Sequence, residues 1–168
     1  LQDTAKTFYD DGTLKRIGVY DEGTLDGIGR SYFESGELEL NATFLEGSLH
    51  GRYREYQKAN DTAWLSIDCT YDRGKLTGQY RMYKYPGPWL WKDISYERNM
   101  KNGEEKVYNQ EGTLIYLTSY LNNMRHGKRY HYYVDGSGVH FEMIYEFDRL
   151  VRQITYDTSG DVVSEETF

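Results

Sequence analysis

A turn-forming residue returns twice in every repeat of about 24–27 residues along this chain, and no other feature of the sequence narrows its folding as much. The first column holds Gly12, Gly36, Asn60, Gly87, Gly112, Gly136 and Gly160. Each lies four residues after an aromatic, in the series Phe8, Tyr32, Tyr56, Tyr83, Tyr108, Tyr132 and Tyr156. The second column holds Gly23, Gly47, Gly74, Asn99, Asn123 and Asp148, each three residues after Tyr20, Phe44, Tyr71, Tyr96, Tyr120 or Tyr145. Only Gly, Asn and Asp occupy either column, and these are the residues that reach positive φ at low cost. Two tight reversals per repeat therefore make each repeat a β-hairpin plus a linking turn.

Between the reversals the apolar period is two. Leu65, Ile67, Cys69 and Tyr71 alternate with Ser66, Asp68 and Thr70, and Val139, Phe141, Met143 and Tyr145 alternate in the same way. No stretch carries an apolar stripe of helical period, and the two prolines, Pro86 and Pro88, fall in a turn. The expected fold is all-β: an elongated single-layer antiparallel sheet of about seven stacked hairpins, about 14 strands and about 65 Å long at the usual strand spacing. The repeats run approximately 5–27, 27–51, 51–78, 78–103, 103–127, 127–151 and 151–168, in one domain over residues 1–168. A small insertion falls around Asp61–Trp64, and the apolar slots after the second column include Leu25, Leu49, Leu76, Met100, Met124 and Leu150. Phe168 fills the last aromatic slot, so the folded unit is expected to end there.

Composition supports a thin fold. Mean hydropathy is −0.82, yet the chain holds 18 tyrosines, the side chain suited to a half-buried boundary. A net charge of −7 argues against nucleic-acid binding, which needs a basic face. No apolar run approaches the ~18 residues of a membrane span. The start at Leu1 rather than Met suggests removal of a leader, hence an expected periplasmic or cell-envelope location, with the cytoplasm as the alternative.

The side chains that carry chemistry are sparse. His50, His126, His131 and His140 share no short metal-ligand spacing, and no glycine cluster precedes a helix to cradle phosphate. Cys69, the single cysteine, falls in the apolar column beside Ile67 and Tyr71, as a buried thiol would. We therefore expect no catalytic, cofactor or metal site. Three surface features remain. Arg30, Arg54, Arg81 and Lys106 form a basic ladder three residues after each opening glycine; it either reads phosphates or an acidic partner, or covers the aromatics while pairing with nearby acids. Asp68, Asp93 and Glu142 recur on the polar side of the second strands, as a groove wall or a solvated face. Trp89 and Trp91 flank Leu90; if Leu90 faces in, both tryptophans face out and join Trp64 in one aromatic patch, or else they cover the open sheet.

The spacing Tyr-x3-Gly-x-Leu with Tyr-x2-Gly-x-Leu-x-Gly resembles the MORN repeat family in its bacterial variant form, over residues 5–168. It departs from that pattern at Asn60, at Pro86–Trp91 and after Leu150. The resemblance implies a non-catalytic protein-binding module, foremost an immunity protein or antitoxin that occludes a cognate toxin. Alternatives are an envelope scaffold or adhesion-type protein, or a module that binds lipid headgroups through the basic ladder. In the leading reading Trp64, Trp89 and Trp91 anchor the partner, and Asp68 and Asp93 supply complementary charge.

Overall fold

The computed structural model describes residues 2–168, which form one open sheet of 14 antiparallel strands in strict sequence order. The strands are β1 (Gln2–Phe8), β2 (Leu14–Asp21), β3 (Thr24–Tyr32), β4 (Leu38–Leu45), β5 (Ser48–Ala59), β6 (Thr62–Asp72), β7 (Lys75–Lys84) and β8 (Trp89–Glu97). They continue as β9 (Met100–Tyr108), β10 (Leu114–Leu121), β11 (Met124–Tyr132), β12 (Val139–Glu146), β13 (Arg149–Tyr156) and β14 (Val162–Thr167). The insertion in the third repeat lengthens its hairpin, so β5 and β6 are the longest strands at 12 and 11 residues.

Two kinds of reversal alternate along the two long sides of the ribbon. The second column sits in two-residue turns with both central residues at positive φ, as in Glu46 (50°) with Gly47 (77°) and Arg98 (49°) with Asn99 (70°). That is the hairpin geometry whose twist matches the strands. On the other side the loops at Gly12, Gly36, Gly112, Gly136 and Gly160 each close with a bond such as Gly12 N–H to Tyr9 C=O at 3.0 Å.

Cross-strand partners share a face, so the register sorts every side chain. Face A carries the second aromatics: Phe44 lies opposite Gly27, Tyr71 opposite Gly51, Tyr96 opposite Gly78, Tyr120 opposite Gly103 and Tyr145 opposite Gly127. Face B carries the first aromatics, each opposite its own apolar slot, as in Tyr32–Leu38, Tyr56–Leu65 and Tyr83–Leu90. Each face is thus half covered by its own aromatic stripe, and there is no second layer among the described residues. Five of the buried side chains form one row along the middle of face A: Ala42, Cys69, Ile94, Glu105 and Thr118.

The register corrects the strict alternation expected from the sequence. Every even strand carries a β-bulge just after the apolar residue that faces the first aromatic, for example between the pairs Tyr56–Leu65 and Glu55–Ile67. Leu65 therefore belongs to face B, whereas Ile67, Cys69 and Tyr71 keep to face A. The extra residue, Ser66, is buried with its hydroxyl donating to Glu55 C=O at 3.0 Å. A bulge re-aims side chains without breaking the sheet.

Candidate functional site

The basic ladder and the acidic column prove to be two halves of one row. Following partners across face B gives Arg30–Asn41–Arg54–Asp68–Arg81–Asp93–Lys106, with opposite charges alternating from β5 to β9. Arg30 Nε donates to Asn41 Oδ1 at 3.3 Å, and Arg81 Nε meets Asp93 Oδ2 at 3.2 Å. Asp68 takes Arg52 at 2.6 Å and Arg54 at 3.7 Å, and Lys106 Nζ meets Glu104 at 3.0 Å. The Arg52 hydrogen bond holds the Asp68 carboxyl below its ordinary pKa, against the opposing effect of burial. Farther along, Glu142 binds Lys128 at 2.9 Å. From Arg54 to Lys106 the basic ladder and the acidic column pair with one another or with neighbouring charges, whereas Arg30 meets only the neutral Asn41 amide.

The tryptophans lie on the other face. Trp64 pairs with Gln57 and Trp89 with Lys84, both face-A positions. The bulge of β8 falls at Trp91, which breaks the parity expected around Leu90; its ring is capped by Lys84 Nζ at 3.7 Å and Lys92 Nζ at 4.6 Å from the centroid. Trp64 stacks on Tyr85 with centroids 4.8 Å apart. All three indoles are half-buried rather than open to solvent, and Nε1 of Trp64 and of Trp89 is sealed without an acceptor among the described residues. Asp68 and Asp93 belong to face B, so they do not combine with the tryptophans into one site.

What does gather on face A, from β7 to β12, is a set of cations lying on aromatic rings. The slot filled by Leu25, Leu49 and Leu76 in the early repeats is filled by Lys101 and Arg125 in the later ones, at the same two-residue offset from the turn. Met100 and Met124, expected in that slot, are instead exposed. Lys101 Nζ lies 4.7 Å from the Tyr120 centroid, the Arg125 guanidinium 4.3 Å from that of Tyr145, and the Arg129 guanidinium 5.2 Å from that of Tyr116. The aliphatic stems do the covering that leucine does elsewhere, and the charged heads gain from the ring faces. Glu105, only 8% exposed, sits among them, 3.5 Å from Lys92 and in a close ion pair with Lys101. Arg125 is held by Asp148 at 2.9 Å. Arg129 has no ion pair among the described residues, and its Nε is buried without a hydrogen-bond partner.

Beside Arg129, Tyr116, His131 and Phe141 occupy one cross-strand row as a ladder of stacked rings, with centroids 4.6 and 5.7 Å apart. Burial, with His140 and Arg129 nearby, pulls the His131 pKa below the usual imidazole value, so it is neutral at pH 7. Cys69 is buried, and desolvation pushes its thiol up to about 12, which makes it an inert packing residue near neutral pH. No group of three His, Cys, Asp or Glu among the described residues is placed to hold a metal. The arrangement suits recognition: broad rings fixed on a rigid sheet, with cations set between them.

Residues 4–22 and 101–122 match the family model of the MORN repeat variant. The first match spans β1 and β2, the second β9 and β10, so each is one hairpin, one from each half of the ribbon. No curated protein gives a significant match to the chain.

Proposed function

We propose that this MORN-repeat protein is a non-catalytic binder of another protein, and that it serves as an immunity protein or antitoxin which neutralises a cognate toxin by covering it. Repeats of this type support a binding role, and an all-β repeat sheet is typically non-catalytic. The observation that carries the reading is the concentration of Trp64, Trp89 and Trp91 on face A beside Lys84 and Lys92. Large aromatic side chains on a rigid scaffold, partly desolvated in advance, are what interface anchors consist of. A ribbon about 65 Å long offers enough face to occlude a partner's active surface without chemistry of its own.

Co-expression with the product of the adjacent gene tests this. A toxic neighbour that co-elutes with the chain as a stable complex and loses its toxicity supports the reading. A neighbour that is neither toxic nor bound ends it.

A further inference from the structure

Face A of β7–β12 is a local cationic surface on an acidic protein. Lys84, Lys92, Lys101, Arg125 and Arg129 share it with a single carboxylate, Glu105, although the whole chain carries a net charge of −7. Two of these cations are consumed by Glu105 and one by Asp148. Arg129 is not: its strand neighbours on this face are Thr118 and Met143, and its ring contact is Tyr116. A half-buried guanidinium with no acid beside it keeps only its ring contact and partial solvation, so an external carboxylate would complete it. Farther along the face, Trp89 on β8 and Trp64 on β6 each bury an indole N–H without an acceptor, so they offer such a segment ring surface rather than hydrogen bonds.

We infer that face A of β7–β12 receives an acidic protein segment, with a carboxylate side chain ion-paired to Arg129 and further acidic groups near Lys84 and the tryptophans. Arg129 on β11 and the tryptophans on β8 are three strands apart, about 14 Å across the sheet with a further offset along the strands, a span that an extended segment of about seven residues covers. The rings beneath it provide area, and the cations select carboxylates and set the orientation. The inference rests on the binding role proposed above and names the chemistry of the partner.

The probe is a fluorescein-labelled peptide of about ten residues alternating glutamate and leucine, titrated with the intact chain and followed by anisotropy. Saturable binding that weakens with added salt is expected. Arg129→Gln should weaken it about tenfold, the effect of one lost charge-assisted contact. Arg81→Gln, on face B, should leave it unchanged. Lys84→Glu, at an exposed site, carries the test alone if Arg129→Gln does not fold, and should weaken binding severalfold. The inference is overturned if the matching lysine–leucine peptide binds better, if Arg81→Gln weakens binding as much as Arg129→Gln, or if a single-stranded oligonucleotide binds as tightly with the same sensitivity to Arg129. A neighbouring toxin that co-elutes equally well with Arg129→Gln sinks this inference and leaves the antitoxin reading standing. Peptide binding as expected without any toxic neighbour does the reverse.

Discussion

The first four strands and the strands from β8 to β12 use the same hairpin and build opposite surfaces on face A. In the early repeats the middle row runs through Gly18, Gly29 and Ala42, and rings lie down onto it. A Cβ at Gly29 would sit 2.8 Å from Phe44 Cε2, and one at Gly18 2.8 Å from Leu25 Cδ1. The rings and leucines rest on bare backbone, as aromatic side chains do when they cover strand glycines. What remains is a shallow apolar hollow of about 380 Å³ lined by residues such as Ala5, Tyr20, Leu25, Leu40 and Phe44. In the later repeats that row is Ile94, Glu105, Thr118 and Arg129. Side chains fill the floor, the rings find cations rather than backbone beneath and beside them, and the slot before each ring changes from Leu to Lys or Arg. On one strand the change reads as Leu25 with Gly29 becoming Lys101 with Glu105, at the same spacing of four. The difference shows that the turns specify the ribbon, and the residues between them are free to make one half a packing surface and the other a charged one.

The turns differ between the halves as well. Gly47 and Gly74 each donate one backbone bond to the preceding repeat, to Leu25 C=O at 2.9 Å and Leu49 C=O at 2.7 Å. Asn99, Asn123 and Asp148 make the equivalent backbone bond and add a second, their side-chain oxygen accepting from the N–H of Leu76, Lys101 or Arg125 at 2.6, 2.7 and 3.0 Å. Asn and Asp in that column are therefore more than tolerated substitutes for Gly; they clasp one repeat to the next.

Four experiments would break or sharpen this comparison. The largest effect is expected at Glu105, because Glu105→Ala strands two partly buried lysines; the cost should be about 2–3 kcal/mol in chemical denaturation, reduced from a fully buried pair by the solvent the lysines keep. Replacing Lys101 by Leu and Glu105 by Tyr together restores the pattern of Leu49 with Tyr53 and should recover most of that loss. If the double variant is no better than Glu105→Ala, the halves are not built on interchangeable solutions. Next, Gly29→Thr should cost about 1–2 kcal/mol, since the new Cβ displaces the Phe44 ring. Thermal melts giving wild-type stability for that variant would show that the early floor has room the distances deny. A smaller loss, about 0.5–1.5 kcal/mol, is expected for Asn123→Gly, which keeps the turn and deletes the side-chain bond; Gly47→Asn should gain a few tenths. Equal effects of opposite sign at both sites, or none at either, would remove the clasp as a distinction. Smallest is the pH response. The lowered carboxyl pKa values of Asp68 and Asp148 mean stability present above their unfolded value near 4 and lost as pH falls through the folded value. Asp68→Asn should flatten the acid limb of a stability profile below about pH 4, and an unchanged limb would show that the face-B row is energetically idle.

Much of this architecture is legible in the sequence because turn chemistry is local. Asn99 or Gly47 must reverse the chain whatever surrounds it, so hairpins, strand order and the single-layer sheet follow from spacing alone. Faces are less legible. A one-residue bulge in each even strand shifts parity, which is why Trp91 falls outside simple alternation and why Leu65 leaves the face of Ile67. The pairing of Arg54 with Asp68, and of Arg81 with Asp93, needs the register across two hairpins; counted separately, the two columns look like two surfaces. Lys101 and Arg125 are masked because the neighbouring Met100 and Met124 are the more hydrophobic residues beside the turn. Their fixed offset from Asn99 and Asn123 is the signal that identifies them.

Intrinsic tryptophan emission tests the central claim most directly, because Trp64 and Trp89 lie on face A and the Trp91 ring packs under the face-A lysines Lys84 and Lys92. Adding the co-eluting partner, or the acidic peptide, should shift and quench that emission in step with binding, and Lys84→Glu should weaken both together. Saturable binding that leaves the emission unchanged would place the interface elsewhere on the ribbon and contradict the account.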